Sequence, residues 1–284
     1  MANLWADLNE RVTELVDKAR FFDAGGYTIT AGCLRDIIQG VLAQKSVSEL
    51  GTLVDKAEAA WRGEYVAGNQ LRGKRLSTTW AIVAFAAKSG VPAETVVELQ
   101  KVIAVLTENS QNIPPIAEAF KPFPPGKVRF YGMCINYLMN AEGMFDQGVR
   151  TLLGLLMLAK GTPIPVDTLN EMDLKDVQEK LGGAGVLTEV LFDGWEQGHV
   201  RNSIAHCRFR YDETQAKPRM HFRDYNVKTK QTWEKYFTIE QFSELSLKLD
   251  DVCHIFIHIL FLLRIAQLVL TQEVPRAGKD LIYK

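Results

Sequence analysis

The sequence lacks the features that identify several classes of protein. Its four cysteines are scattered and form no CxxC pair, so neither a zinc ribbon nor a disulfide-rich mini-domain is predicted. Lys and Arg number 33 against 34 Asp and Glu, so any attraction to nucleic acid has to come from local patches of charge. The N-terminus has no basic residues followed by an apolar core, and we therefore expect no secretory signal and a cytoplasmic location.

Only one long apolar run is present, Val252–Leu270, and it approaches the length of a membrane-spanning helix. It contains His254, His258 and Arg264, and polar groups of this kind are costly in lipid. A helix packed against other helices can pair such groups. We therefore expect a buried helix here and no membrane partner.

Apolar residues at helical spacing dominate the first hundred residues of the chain. They predict helices over Leu4–Ala19, Cys33–Leu42, Val47–Trp61, Leu76–Lys88 and Ala93–Leu106. At 284 residues the chain is long enough for two domains. We predict an all-helical N-terminal domain over residues 1–110, whose role the sequence does not indicate.

Five prolines at positions 114, 115, 122, 124 and 125 predict a linker over residues 111–126, because neither a helix nor a central strand accommodates them. A second domain then covers residues 127–284. It opens with an apolar stretch, Arg129–Ala159, which predicts a helix whose glycines, among them Gly148, allow close approach of a neighbouring helix.

A further helix is predicted from about Leu187 to Cys207, and alternating sequences follow it. "RFRY", "RMHFRDYNV" and "QTWEKYFT" alternate large apolar and polar residues, which predicts a ribbon of two or three strands. Thr238 and Gln241 have the spacing of a capping box and predict the start of a long final helix. The fold class is therefore mainly α with a small β-ribbon.

The segment "RNSIAH" places Arg201, Asn202 and His206 at the end of the helix predicted before the ribbon. An imidazole can transfer a proton near neutral pH, a guanidinium can stabilise a phosphorane, and an amide can orient either group. Because RNA supplies its own nucleophile, the 2′-hydroxyl, such a site needs no metal. On spacing alone, cations that simply favour a helix C-terminus explain the same residues.

The predicted ribbon carries the local positive charge that the whole chain lacks. Between Cys207 and Lys235 there are eight cations and four anions, interleaved with aromatic residues. We expect RNA to bind through four of these cations, Arg208, Arg210, Arg219 and Arg223.

"RNSIAH" resembles the Arg-x4-6-His motif of the HEPN superfamily, including the polar residue after the arginine. The order of elements from Lys127 to Val274 is also similar to HEPN proteins: a long helix, a helix that ends in the motif, an inserted ribbon and a closing helix. The resemblance implies a HEPN-like helical bundle, a homodimer that joins two motif helices, and a metal-independent endoribonuclease of a toxin or phage-defence type. It also implies that Arg201 and His206 are catalytic and that Asn202 supports them.

One position departs from the family pattern. Family toxins that are silenced by nucleotidyl transfer carry a tyrosine two residues after the histidine, and this chain has Arg208 there. Regulation by an inhibitory protein partner, or by the N-terminal region, is the remaining expectation for an active enzyme.

Two alternatives stay open. The first is a catalytically inactive HEPN module that binds RNA, a nucleotide or a protein partner through the same residues. The second is a zinc site at Asp251, His254 and His258, which share one helical face; the apolar surroundings favour buried histidines instead. We therefore expect neither a metal nor another cofactor.

Overall fold

The computed structural model describes residues 2–88, 105–106, 108–109, 112–113, 119–120, 122–124, 126–193, 198–214, 219–227 and 229–270. Within it the chain is mainly helical and carries one small antiparallel sheet, which confirms the predicted fold class at this level. Two compact units are formed, Met1–Leu76 with His258–Lys284, and Ser77–Ile257. The HEPN-like bundle and the domains 1–110 and 127–284 stay predictions.

The first four helices confirm four of the five helices predicted for the N-terminal region. They are α1 (Ala2–Ala24), α2 (Thr28–Leu42), α3 (Val47–Val66) and α4 (Gln70–Lys88). Ser46 starts α3 through a capping box with Glu49, which satisfies backbone N–H groups that a helix start leaves free. Residues 93–104 of the helix predicted over Ala93–Leu106 and half of the residues of the proline-rich linker lie outside the described residues.

The first unit has an aromatic core. His258 is buried there, next to the rings of Phe22 and Tyr27, and its Nδ1 accepts a hydrogen bond of 3.0 Å from Nε1 of Trp61. In the part of the chain that the structure describes, no group of three or more His, Cys, Asp or Glu side chains is placed to hold a metal ion.

Within the second unit, a continuous run of helix covers the residues predicted as Arg129–Ala159. It comprises α5 (Lys127–Met139), a π-helical segment (Asn140–Asp146) and α6 (Gln147–Ala159). Gly148 lies so close to the ring of Phe256 that an added Cβ would clash with it. The prediction that glycine allows close helix approach is therefore confirmed at Gly148.

Four short helices follow, and one prediction fails among them. They are α7 (Val166–Glu171), α8 (Leu174–Gly183), α9 (Thr188–Leu191) and α10 (His199–Ala205). The continuous helix predicted over Leu187–Cys207 is wrong, because helix α9 ends before Phe192 and α10 begins only after Gly198. Gly198 has φ +77°, a left-handed conformation that ends a right-handed helix and suits glycine.

The ribbon has three antiparallel strands in the order of the chain. They are β1 (Phe209–Asp212), β2 (Arg219–Asn226) and β3 (Gln231–Phe237). Phe222 of β2 is fully buried on the inner face, where its ring meets those of Phe130 in α5 and Phe242. The alternation of apolar and polar residues in the sequence therefore correctly predicted a sheet with one buried face and one exposed face.

The last described helix is α11 (Ile239–Leu270). The predicted capping box is confirmed: Thr238 N–H donates to Oε1 of Gln241 at 2.9 Å, and Gln241 N–H donates to Oγ1 of Thr238 at 3.2 Å. Among the described residues, none of the helices has the length and apolar character needed to cross a membrane.

Candidate functional site: the motif helix and the arginine face

The motif lies on α10, a short helix whose buried side chains fix its orientation. Val200, Ser203 and Ile204 are buried, and Oγ of Ser203 donates to the carbonyl of His199 at 2.7 Å. The remaining side of the helix carries the polar residues of the motif. At the end of α10 the chain reverses through Cys207, whose φ is +54°, and enters β1.

Arg201 wraps around the helix toward Asn202. Its Nη1 donates to Oδ1 of Asn202 at 2.8 Å, and its Nε forms an ion pair with Oε1 of Glu142 in the π-helical segment. Asn202 in turn donates from Nδ2 to Oδ2 of Asp224 at 3.2 Å. Arg201 is thus held by a carboxylate and an amide, with 33% of its side chain exposed.

His206 is the exposed C-terminal cap of α10. At about 100° per residue it lies roughly 40° from Asn202 around the helix axis, and Asn202 lies between it and Arg201. All three predicted catalytic residues therefore share the outer side of this short helix. Arg201 and Asn202 also line a cleft at its start, whereas His206 lies at its opposite end.

His199, the first residue of α10, is oriented by two residues of the sheet. Its Nδ1 lies 2.8 Å from Oδ2 of Asp224, and its ring stacks on Trp233 with centroids 4.9 Å apart and planes 15° apart. Asp224 and Trp233 are directly opposite each other in the β2–β3 register. The inner face of the ribbon therefore fixes both the position and the plane of this imidazole.

Asp224 is buried on that inner face, and its environment favours the ionised form. Burial opposes ionisation, but hydrogen bonds from His199, Asn202 and the backbone N–H of Tyr225 outweigh it, so the pKa of Asp224 lies below its ordinary value. Asp224 is therefore a carboxylate at neutral pH, and it holds the motif helix to the sheet at two points.

The cleft at the start of α10 has a volume of about 760 Å³ and a balanced lining. Three cations and three anions line it: Arg150, Lys175, Arg201, Asp146, Glu171 and Asp173. Asp146 pairs with Arg150 at 2.8 Å; burial raises the pKa of the Asp146 carboxyl, although Arg150 opposes the shift. A long polyanion gains little from such a mixed lining.

The outer face of the sheet is different, because it gathers the four arginines that the sequence predicted to bind RNA. Strand alternation puts Arg210, Arg219 and Arg223 on this face, and Arg208 joins them, since its carbonyl accepts the N–H of Arg223 at 3.0 Å. A groove of about 650 Å³ runs across the face, lined by Arg208, Phe209, Arg210, His221, Arg223, Tyr225, Glu234 and Tyr236. We call this surface the arginine face.

Flat rings lie among these arginines. His221 stacks on Tyr236 with centroids 4.4 Å apart and planes 8° apart, and Tyr225 and Tyr236 are 41% and 44% exposed. Glu234 pairs with Arg223 at 3.0 Å, so one of the three arginines that line the groove already has a carboxylate partner. The groove keeps an excess of positive charge, next to exposed aromatic rings.

Sequence reasoning missed three residues that contact the motif helix α10. Glu142 lies far away in the chain, and no local pattern identifies it as the partner of Arg201. Asp224 did carry a signal, because it occupies an inward position of β2 between Phe222 and Tyr225, where a carboxylate is rare without a partner. Trp233 lies directly opposite Asp224 in the β2–β3 register, so its position could be predicted only after that of Asp224.

Comparison with protein-family models, curated proteins and solved structures finds no significant match to this chain. The resemblance to the HEPN superfamily therefore rests on the six residues of the motif and on the order of the elements around it.

Proposed function

We propose that this protein is a metal-independent endoribonuclease that binds single-stranded RNA on the arginine face and cleaves it beside His206. One observation carries the proposal. The exposed His206 is followed two residues later by Arg208, the first arginine of the groove. Two residues span at most about 7 Å, so RNA bound in the groove passes within reach of the imidazole.

The exposed rings favour single strands over duplex as the substrate class. Tyr225 and Tyr236 offer ring surfaces to unpaired bases, and stacking on such rings contributes about 1–3 kcal/mol per base. Bases in an A-form duplex are already stacked, and proteins contact that duplex through its backbone and 2′-hydroxyl groups. The groove therefore suits a flexible strand whose phosphates meet the arginines while its bases meet the rings.

The chemistry needs only groups that this chain and its substrate hold. A neutral imidazole accepts the proton of the 2′-hydroxyl, O2′ bonds to the adjacent phosphorus, and the bond from phosphorus to O5′ breaks as O5′ takes up a proton. The products are a 2′,3′-cyclic phosphate and a 5′-hydroxyl. In this proposal His206 is the base, Arg201 neutralises the charge on the phosphorane, and Asn202 holds Arg201.

Arg201 can take this role only after it changes partner. In the structure its guanidinium pairs with Glu142, so a phosphate oxygen has to replace that carboxylate. We infer a protein of low basal activity, which agrees with the cytoplasmic toxin or phage-defence setting that the family resemblance implies. An inhibitory partner protein and a homodimer with two motif helices in one cleft belong to the same proposal.

Cleavage in the presence of EDTA tests the proposal. Purified wild-type protein should cut single-stranded RNA without added metal, and His206→Ala should lower the rate about 10²–10⁴-fold, which is the usual contribution of a general base. Lys45→Gln, an exposed change far from the motif in the sequence, is the matched control and should cut like wild type. A strict requirement for metal, or full activity of His206→Ala, would refute the mechanism.

The homodimer has its own test. Sedimentation should show a dimer, and mixing Arg201→Ala with His206→Ala protein should restore part of the activity if the two subunits contribute to one site. A stable monomer that cleaves RNA would contradict this part of the proposal.

The Arg201–Glu142 pair also favours a second candidate, a non-enzymatic module that binds RNA, a nucleotide or a protein partner. Such a module needs no mobile guanidinium, because Arg201 would only anchor α10 to the π-helical segment. It predicts RNA binding that survives both Arg201→Ala and His206→Ala, with no cleavage to lose. Cleavage by wild-type protein in EDTA excludes it.

A further inference from the structure

His199 is placed like a histidine that transfers protons, although no feature of the motif requires it. When its Nδ1–H donates to Asp224, the nitrogen at Nε2 becomes the group that can exchange a proton. Trp233 stacks on the ring and fixes its plane. The side chain is still 27% exposed and lines the cleft at the start of α10, so a substrate can reach it.

His199 and His206 lie on the same side of α10. They are seven residues apart, which places them about 20° apart around the axis and about 10 Å apart along it. Imidazole side chains at these two backbone positions can reach toward one phosphodiester, whose attacking and leaving oxygens lie in line and each take a hydrogen bond of about 3 Å. Asn202 lies between the two histidines on this side.

We propose that His199, oriented by Asp224, is the general acid that protonates the leaving 5′-oxygen, with His206 of the same chain as the base. This inference rests on the proposed RNA cleavage. His206 takes the proton of the 2′-hydroxyl, O2′ attacks phosphorus, and the P–O5′ bond breaks while Nε2–H of the His199 imidazolium gives its proton to O5′. The Asp224 carboxylate accepts from Nδ1–H and holds the ring in place for that transfer.

A purely structural role is the competing explanation, because the His199–Asp224 contact also attaches α10 to the sheet. The two roles differ in one chemical respect. A general acid matters only when the leaving group needs a proton, whereas a structural residue matters for every substrate. A bridging sulfur in place of O5′ makes the leaving group a thiolate, which departs without protonation.

The test compares a natural RNA linkage with the same linkage carrying sulfur at the 5′-bridging position. His199→Gln is the first variant, because it keeps a side-chain group that can donate a hydrogen bond but cannot act as an acid. We expect it to cut the natural linkage about 10²–10⁴-fold more slowly than wild type and the sulfur linkage within about ten-fold of wild type. His206→Ala should be slow on both linkages, and His199→Ala should repeat the pattern of His199→Gln.

Each other outcome overturns a separate claim. Equal loss on both linkages with His199→Gln, or no loss on either, would overturn the role of His199 while leaving the RNA cleavage of wild type intact. Absence of cleavage by wild type on both linkages would overturn the proposed function and this inference with it. Thermal unfolding of each variant should give a single transition above the assay temperature, which shows that the variant tested is folded.

Discussion

The two faces of the three-stranded sheet have opposite chemistry on the same strands. On the inner face Met220, Phe222 and Phe237 are buried. The residues that alternate with them along the strands, such as Arg223 and Tyr236, lie on the outer face and are exposed. Because side chains alternate along a strand, one short sequence supplies both a packing surface and a binding surface.

Asp224 is the exception on the inner face, and it connects the sheet to the motif helix. It lies on the apolar inner face, yet it is charged and bound to His199 and Asn202. The comparison therefore separates three roles: apolar inner residues stabilise the sheet, Asp224 holds the motif helix to it, and in the proposed function the outer arginines bind RNA. Each role predicts a different response to substitution.

The largest effect on stability is expected at Phe222. Phe222→Ala removes a fully buried ring that contacts Phe130 and Phe242, and it should lower the free energy of unfolding by about 3–5 kcal/mol. Urea unfolding followed by circular dichroism measures this. Tyr225→Ala on the outer face is the control and should change stability by no more than about 0.5 kcal/mol. Equal losses for the two variants would contradict the division between faces.

Substitution of Asp224 should give a smaller, pH-dependent loss. Because the folded-state pKa of Asp224 lies below its ordinary value, its ionised form contributes stability that is present above about pH 4. That contribution is lost as the pH falls through the lower, folded-state value. Asp224→Asn should cost about 1–3 kcal/mol at pH 7 and less at acidic pH.

Unfolding of wild type and Asp224→Asn across pH 2–7 measures this difference directly. The two curves should converge toward the acidic end, since protonation of Asp224 in wild type removes the same charge. A constant gap at every pH would show that the carboxylate charge contributes nothing to the attachment of α10.

The outer arginines should affect RNA affinity without affecting stability. Arg210→Gln should weaken binding of a single-stranded oligoribonucleotide about five-fold, roughly 1 kcal/mol. It should also reduce the slope of log affinity against log salt by about 0.7, because one phosphate of the single strand is no longer neutralised by a guanidinium. Fluorescence anisotropy at several salt concentrations measures both, and Lys45→Gln, a cation outside the sheet, should leave both unchanged.

The smallest effect is expected for Glu142, and it concerns the rate of RNA cleavage. Its ion pair with Arg201 is partly exposed, and pairs of this kind contribute about 0.2–1 kcal/mol. Glu142→Gln should therefore raise the rate of RNA cleavage about 1.4-fold to five-fold, because the guanidinium is more often free to bind phosphate. A slower variant would show that Glu142 supports the site rather than restrains it.

Local patterns in the sequence were sufficient for much of the fold. Helical spacing predicted α1 to α4, alternation predicted the strands, and the Thr238–Gln241 spacing predicted the start of α11, because these signals act between neighbours in the chain. The predicted continuous motif helix was wrong because α9 already ends at Leu191 and because Gly198, just before α10, has a left-handed conformation that a right-handed helix does not contain.

The candidate site was only partly predictable, because local patterns do not identify contacts between residues that are far apart in the chain. "RNSIAH" and the arginines are local patterns, and the structure brings the arginines onto one face. The contacts of Glu142 with Arg201 and of Trp233 with His199 join residues far apart in the chain. They depend on how the π-helical segment and the β2–β3 register pack against α10, which no local pattern determines.

The assignment of the arginine face as the RNA-binding surface is tested most directly by mapping where RNA contacts the protein. Photo-crosslinking of a single-stranded oligoribonucleotide, followed by mass spectrometry of the linked peptides, should place the RNA on the outer face at Tyr225 and Tyr236. Arg208→Gln combined with Arg210→Gln should reduce these crosslinks in proportion to the loss of affinity. Crosslinks confined to other parts of the chain, or unchanged in the double variant, would contradict the assignment of the arginine face as the RNA-binding surface.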